Sequence, residues 1–221
     1  MLKIVVFDGG FGGELLADKL SDTLQVVEII RVIDWRNANS YISSKRVART
    51  CAMKALRPYI GRVDLIILAN QFLTITSLKF FKRRFRNQKF VGTKLKIPDD
   101  KLGRDTLVLT TKAVARTINY YNYLHNLHCR TKTITPDSWL AKIDDGILTD
   151  NEIATTCQDL VLSKDFSPKV ILLDCTHYSD IKLALKKVFG NNTKICDAFD
   201  DTIREACKAL KLRGGTGKKH K

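Results

Sequence analysis

Eight short apolar segments alternate with longer segments of helical periodicity along almost the whole chain. The predicted strands are Lys3–Phe7, Val26–Ile33, Asp64–Ala69, Phe90–Gly92, Thr106–Thr110, Lys132–Thr135, Val170–Asp174 and Lys194–Cys196. The predicted helices are Glu14–Lys19, Ser44–Tyr59, Thr74–Arg86, Lys112–Leu124, Thr149–Leu162, Asp180–Phe189 and Asp200–Leu212. Strands that are apolar on both faces and separated by helices are typical of parallel sheets. The sequence therefore predicts an α/β fold in which ligands bind beyond the carboxyl ends of the strands.

The composition excludes several other classes of protein. With 44% hydrophobic and 28% charged residues, the 221-residue chain is typical of soluble globular proteins. Its apolar runs are too short to cross a bilayer, and its N-terminus lacks the pattern of a signal peptide. Six scattered cysteines without a CxxC pair are typical of reduced thiols, so we expect a cytoplasmic protein with no membrane contact.

The net charge of +15 has three interpretations: a nucleic-acid partner, attraction of anionic substrates, or a lysine-rich proteome. Part of this charge lies in residues 213–221, a basic tail without apolar residues that we expect to be disordered. Charge alone does not decide between the three.

A glycine-rich turn follows the first predicted strand, in the run Asp8-Gly9-Gly10-Phe11-Gly12-Gly13. Leu15 stands where a dinucleotide fingerprint needs glycine, and the Lys-Ser/Thr pair of a Walker loop is absent. Gly10 also excludes the second aspartate of a DxD phosphatase motif. Two interpretations remain: a carboxylate at the lip of an anion-binding loop, or a tight turn in which Asp8 caps the helix.

A thiol ends another predicted strand, in the run Cys175-Thr176-His177-Tyr178. A cysteine at a helix start lies near backbone N–H dipoles that favour the thiolate, and His177 could assist it. A single cysteine is more often a small buried apolar residue. Threonine and histidine directly after it, at a ligand-facing strand end, favour chemistry.

Several of these motifs resemble landmarks of the aspartate/glutamate racemase family, and of glutamate racemase above all. They are FDGGFGG, VIDWRNANSYISSK, LIILANQ, KIDDGILTDNEI, ILLDCTHY and CDAFDDTIREACKAL, in that order along almost the whole chain. The corresponding family stretches read roughly FDSGVGG, VIACNTA, LILGCTHYP and VDSGEATA, with an IEEG segment before the CTHY element. The CTHY element is the most specific of them.

The resemblance implies two pseudosymmetric parallel-sheet domains with an active site between them. We expect the first domain to comprise residues 1–95 plus 197–212 and the second to comprise 96–196, with a linker at Lys94–Arg104. In the family, one cysteine from each domain faces the substrate α-carbon, and proton removal and return need no cofactor and no metal. Such chemistry needs two acid/base groups on opposite faces and donors that hold the substrate carboxylate.

The resemblance also implies roles for individual residues. Cys175 matches the thiol of the second domain, His177 its acid/base helper, Asp8 the carboxylate that assists the first thiol, and Asp144 a family glutamate. The implied substrate-binding residues are Gly9, Gly10, Tyr41, Asn70, Gln71 and Thr176. The implied substrate is a small acidic amino acid, and the implied role is in peptidoglycan synthesis.

The chain departs from the family at the first thiol, because Ala69 occupies that position. A methyl group can neither take nor return a proton. Gly9 replaces a loop serine, and Gln71 replaces a substrate-binding threonine. Racemisation is therefore expected to be impaired, or to use a substitute base such as Asp8 or a water molecule.

Three hypotheses follow. The chain is an impaired racemase-type enzyme, a single-cysteine decarboxylase or isomerase similar to arylmalonate decarboxylases, or a non-catalytic homologue that binds a protein partner. Retention of Asp8, Cys175, Thr176 and His177 favours an occupied small-molecule site. A homodimer and a nucleic-acid-associated protein partner remain open.

Two other segments have local explanations. Residues 77–90 mix six Lys/Arg with four Phe, as in nucleic-acid-binding segments, but Leu78, Phe81 and Phe85 share one side at helical spacing. This pattern predicts an amphipathic helix packed on the sheet. His125, His128 and Cys129 have metal-ligand spacing but no fourth ligand nearby, so we expect no metal site.

Overall fold

The computed structural model describes residues 1–93, 95, 105–125, 129–161 and 166–212. Most of the predicted linker at residues 94–104, His128, and the predicted disordered tail at 213–221 lie outside this part of the chain. None of the described helices is long and apolar enough to cross a bilayer.

Two four-stranded parallel sheets form the framework. The first contains β1 (Leu2–Asp8), β2 (Val27–Ile33), β3 (Leu65–Leu68) and β4 (Phe90–Gly92) in the order β2-β1-β3-β4. The second contains β5 (Thr106–Leu109), β6 (Thr131–Ile134), β7 (Val170–Leu173) and β8 (Lys194–Asp197) in the equivalent order β6-β5-β7-β8. The predicted two-sheet α/β fold is confirmed, and every predicted strand end lies within one residue of the observed end.

Nine helices and two 3₁₀-helices are found in the described part of the chain. The helices are α1 (Phe11–Thr23), α2 (Lys45–Leu56), α3 (Gln71–Arg84), α4 (Lys112–Ala115), α5 (Ile118–His125), α6 (Ser138–Asp144), α7 (Asp150–Val161), α8 (Lys182–Phe189) and α9 (Phe199–Leu210). The 3₁₀-helices, Trp35–Ile42 and Thr176–Ser179, and the helix α6 were not predicted.

One predicted helix, Lys112–Leu124, is wrong as a single element, because it is divided into α4 and α5. The Thr117 hydroxyl donates to the carbonyl of Val114 and accepts from the N–H of Tyr120. Threonine bonds of this kind satisfy the free backbone groups at a helix end and therefore favour a break there.

Both faces of the first sheet are buried, which explains its uninterrupted apolar strands. Ile4, Val6, Leu65 and Ile67 pack with α1 and α9, while the alternate residues of β1 and β3 pack with α2 and α3. The apolar cluster on the side of α2 and α3 continues into the other half of the molecule through Val108, Val114, Val170 and Leu172. An apolar core therefore joins the two sheets, and the final helix returns from the second sheet to cover the first.

Candidate acid/base site between the two sheets

Polar side chains from the carboxyl ends of β3, β5 and β7 meet between the two sheets. They surround a cavity of about 50 Å³. The polar residues that line it are Asn70 and Gln71 after β3, Thr111 after β5, and Asp174, Cys175, Thr176 and His177 after β7. Residues of both halves therefore form one site.

Cys175 and His177 form a hydrogen-bonded pair at this site. Cys175 is the N-cap of the 3₁₀-helix Thr176–Ser179, and its Sγ lies 3.8 Å from Nδ1 of His177. On the other side of the ring, Nε2 of His177 lies 3.3 Å from Oδ1 of Asp144. Burial disfavours the charged ring, but the hydrogen bonds to Asp144 and Cys175 outweigh it and raise the pKa of His177 well above its usual range. The site therefore favours the protonated form of His177 beside the sulfur of Cys175.

Asp8 is 1% exposed and lies on the other side of Thr176. Its Oδ1 accepts hydrogen bonds from the N–H of Gly9 at 2.7 Å and from the amide of Asn70 at 3.2 Å, and its Oδ2 accepts one from Thr176 Oγ1 at 3.4 Å. Burial raises the pKa of Asp8, although the charge of His177 and these hydrogen bonds oppose the shift. The carboxylate thus links both halves of the molecule.

Asp8 does not cap the helix after the glycine-rich turn, so the capping interpretation is wrong. Gly10 is the N-cap of α1, and no side chain accepts a hydrogen bond from the first turn. The glycines instead allow the two halves to approach each other. A Cβ atom on Gly10 would lie 2.9 Å from Nε2 of His177, and one on Gly12 would lie 2.0 Å from Oγ1 of Thr176. This turn is in contact with the CTHY element.

Gly12→Ala is expected to destabilise the protein by about 1–3 kcal/mol, the usual cost of overpacking. A Cβ at position 12 overlaps the Thr176 side chain and lies 2.9 Å from the backbone nitrogen of His177, so the two halves must separate. This cost exceeds the gain in helix propensity of about 0.5–1 kcal/mol for alanine. Urea unfolding measures the effect, and Asp22→Ala, at an exposed position of the same helix, is the control. Equal losses in the two variants would contradict the contact.

Asp174 is the functional candidate that the sequence analysis missed. It is 1% exposed; its Oδ1 accepts a hydrogen bond of 2.5 Å from the Gln71 amide, and its Oδ2 accepts one of 3.3 Å from Thr110. Burial raises the pKa of Asp174 to about 7, against the opposing effect of these two donors. The available signal was that ILLDCTHY has aspartate where the family stretch LILGCTHYP has glycine.

Tyr41 and Ala69, like Asp8, Gly9, Gly10 and Asp144, are not among the residues that line the cavity. Tyr41 is fully buried, its ring packs on Phe7, and its hydroxyl donates a 2.5 Å hydrogen bond to Asp34. Tyr41 also excludes a side chain at position 9, because a Cβ on Gly9 would lie 2.5 Å from the Tyr41 ring. Ala69 is fully buried in the apolar cluster of Ile67 and α9. The substrate-binding roles of Gly9, Gly10, Tyr41, Asn70, Gln71 and Thr176 stay predictions.

A metal site is not formed by the described residues. Among them, no group of three or more His, Cys, Asp or Glu side chains is placed to hold a metal ion. Of the HNLHC segment, His128 lies outside the described residues.

Comparison with known proteins identifies the architecture. No family model matches the chain. It is 22% identical to a glutamate racemase of Campylobacter jejuni over 210 residues, which cover 91% of this chain and 83% of the relative. The structure matches Escherichia coli glutamate racemase, solved with L-glutamate and the activator UDP-MurNAc-Ala, with a TM-score of 0.83 and 18% identity over 97% of this chain and 84% of the other.

A second solved structure, glutamate racemase from Campylobacter jejuni, matches with a TM-score of 0.80 and 21% identity over 100% of this chain and 89% of the other. These matches confirm the resemblance that the motifs predicted. The chain therefore has the two-domain α/β fold of the glutamate racemases.

Proposed function

We propose that this protein is a cofactor-independent, racemase-type enzyme that moves the α-proton of a small acidic amino acid through the thiol of Cys175. The observation that carries the proposal is the series Cys175, His177 and Asp144, whose first two members line a cavity formed by both halves. Glutamate is the preferred substrate, because the similar proteins are glutamate racemases. A cytoplasmic location and a role in peptidoglycan synthesis belong to the same proposal.

Cys175 acts as one proton-transfer group. A protonated His177 donates a hydrogen bond to the thiolate, and Asp144 holds the ring on its far side. The hydroxyl of Thr176 is available for the substrate carboxylate, because its present bond to Asp8 is long, at 3.4 Å. Thiolate, imidazolium and carboxylate together can accept a proton and return it.

Asp174 is the best-placed substitute for the missing first thiol. It lines the same cavity as Cys175, and its pKa of about 7 suits a group that must both take and give a proton at neutral pH. Asp8 is less suitable, because its oxygens already accept three hydrogen bonds and it is not among the residues that line the cavity. We therefore assign Asp174, and not Asp8, as the second acid/base group.

Substrate entry requires the site to open. The cavity of about 50 Å³ is much smaller than the ~300–1,000 Å³ of ordinary ligand pockets. Breaking the hydrogen bond between Gln71 and Asp174 would separate the two halves at this point and free the side-chain NH2 of Gln71 and Oδ1 of Asp174. We propose that the amino acid takes the place of this bond.

A single-thiol reaction is the alternative that a specific observation favours, because Ala69 offers no proton-transfer group. Exchange of the α-proton in deuterated water, followed by NMR and circular dichroism for each enantiomer of glutamate and aspartate, distinguishes the two. Exchange with racemisation of both enantiomers supports the two-group reaction. Exchange of one enantiomer with retention indicates single-thiol chemistry. Absence of exchange with all four amino acids would overturn the enzymatic proposal and favour a partner-binding homologue.

A further inference from the structure

The positive charge of this protein is concentrated in one segment. Residues 35–98 contain fifteen of the 38 Lys and Arg residues but only one of the 23 Asp and Glu residues, Asp64. That segment therefore has a net charge of +14, against +15 for the entire chain. A lysine-rich proteome would distribute the charge over both halves, so it does not explain this pattern.

Helices α2 and α3 carry much of this charge and border two adjoining cavities. The first, of about 1090 Å³, is lined by Lys45, Arg49, Lys79, Arg83 and Arg84. The second, of about 650 Å³, shares Arg49 and Arg84 with the first and adds Lys54 and Arg57. No acidic side chain is among the described residues that line either cavity. We define these two cavities together as the basic cleft.

Cations of the basic cleft lack acidic partners in the described part of the chain, whereas many cations elsewhere have them. Lys3, Lys19, Arg31, Arg130 and Lys142 all form ion pairs. Within the described residues, none of the seven cleft cations does so. Unpaired like charges held close together repel one another, and an anion that binds between them relieves this repulsion.

Arg49 lies where the two cavities join and has unused donor capacity. Its guanidinium stacks 4.0 Å from the centre of the Phe80 ring, and one of its terminal nitrogens makes a long bond of 3.5 Å to the carbonyl of Thr76. Its Nε is buried and has no hydrogen-bond partner among the described residues. Arginine stacked on an aromatic ring is a common element of surfaces that bind phosphates and bases.

We propose that the basic cleft binds a single-stranded nucleic acid, with the seven cations along its phosphates. A mononucleotide carries too few charges for seven cations in two adjoining cavities. A bilayer surface would not reach Arg49 and Phe80 inside the cleft. Proteins that bind single strands without sequence preference combine such a basic groove with aromatic side chains. This function is separate from the proton transfer of the proposed enzyme.

Fluorescence anisotropy of the full chain with labelled 20-nucleotide dT and U oligomers tests the proposal. For seven phosphate contacts, the logarithm of the binding constant should fall with the logarithm of salt concentration with a slope of about −5. Lys79→Glu/Arg83→Glu/Arg84→Glu should weaken binding at least about tenfold and reduce this slope to about −3. The control, Lys169→Glu/Lys186→Glu/Lys194→Glu, changes three exposed lysines of the second half by the same charge and should stay within about twofold. The basic tail is present in both triple variants, so it does not account for a difference between them.

Several results would overturn the proposal. The first two are absence of oligomer binding and equal weakening of that binding by the two triple variants. The others are full displacement of the oligomer by a nucleoside triphosphate at the same concentration, and binding of the protein only to vesicles of anionic phospholipid. Preference for dT or for U identifies the type of strand. Circular dichroism checks folding, and if the cleft triple variant is unfolded, Lys79→Ala/Arg83→Ala replaces it with an expected loss of about threefold or more. Unchanged α-proton exchange in the cleft variant separates this function from the proposed enzymatic one.

Discussion

Cys175→Ser is expected to lower the rate of α-proton exchange by about 10²- to 10⁴-fold, the usual contribution of a positioned proton-transfer group. The serine hydroxyl is nearly isosteric but is a far weaker acid than a thiol, so it does not form the anion that must accept the α-proton. His177 would remain in place, because its bond to Asp144 does not depend on Cys175. Exchange measured by NMR at several substrate concentrations should show the loss in kcat.

Cys129→Ser is the matched control for this variant. The Cys129 thiol is half-buried and lies 3.4 Å from Oγ1 of Thr106. Thr106 is the first residue of β5, so this thiol lies at the end of the second sheet opposite the carboxyl ends of its strands. Exchange should therefore stay within about twofold of the parent, as expected for a residue that supplies no proton-transfer group. A loss of similar size in both variants would indicate general damage to the fold and would contradict the role of Cys175.

The strands of this protein could be predicted from sequence because burial on both faces leaves an apolar run with clear ends. In β3 and β7 every residue is buried, and polar residues follow β7 directly and β3 after Ala69. The 3₁₀-helix Trp35–Ile42 lacks the 3.6-residue period and is interrupted at Asn37, and helix α6 has only seven residues, so neither was predicted. The conformation of such short segments depends more on tertiary packing than on their local sequence.

The candidate site was partly predictable for the same reason. Asp8 is the last residue of β1, Cys175 and His177 follow β7, and the carboxyl ends of parallel strands are where ligands bind. Gly12 contacts Thr176, which lies 164 positions further along the chain. A local sequence pattern does not reveal a contact between residues so far apart. Asp174 was read as the last residue of a strand, because only the structure shows its bond to Gln71 across the two halves.

Asp174→Asn is expected to remove a large pH dependence of stability. In the folded protein the pKa of Asp174 is raised by burial to about 7, from 3.8 when unfolded. Between these two values the folded state holds a proton that the unfolded state has lost, so the free energy of unfolding falls as pH rises through this window. A shift of about three pKa units corresponds to about 4 kcal/mol. The contribution is fully present below pH 4 and is lost above pH 7.

Urea unfolding of the parent and of Asp174→Asn between pH 4 and pH 8 measures this difference. Asparagine is neutral throughout and can still accept a hydrogen bond from Gln71, so the variant should gain up to about 4 kcal/mol over the parent as pH rises from 4 to 7. The raised pKa values of Asp8 and His177 affect both proteins and cancel in the comparison. Asp180→Asn, which removes an exposed aspartate close by, should leave the pH dependence of the parent unchanged.

The same variant links the stability of the protein to its proposed chemistry. Above pH 7 the Asp174 carboxylate is charged in a buried position, which costs stability but supplies a base beside Cys175. Asparagine removes both the cost and the base, so the variant should be more stable at pH 8 yet lose racemisation while Cys175 still exchanges one enantiomer. Parallel stability curves for the two proteins would show that Asp174 is not held neutral by burial. Racemisation that survives in a more stable variant would assign the second proton transfer to another group, such as Asp8 or a water molecule.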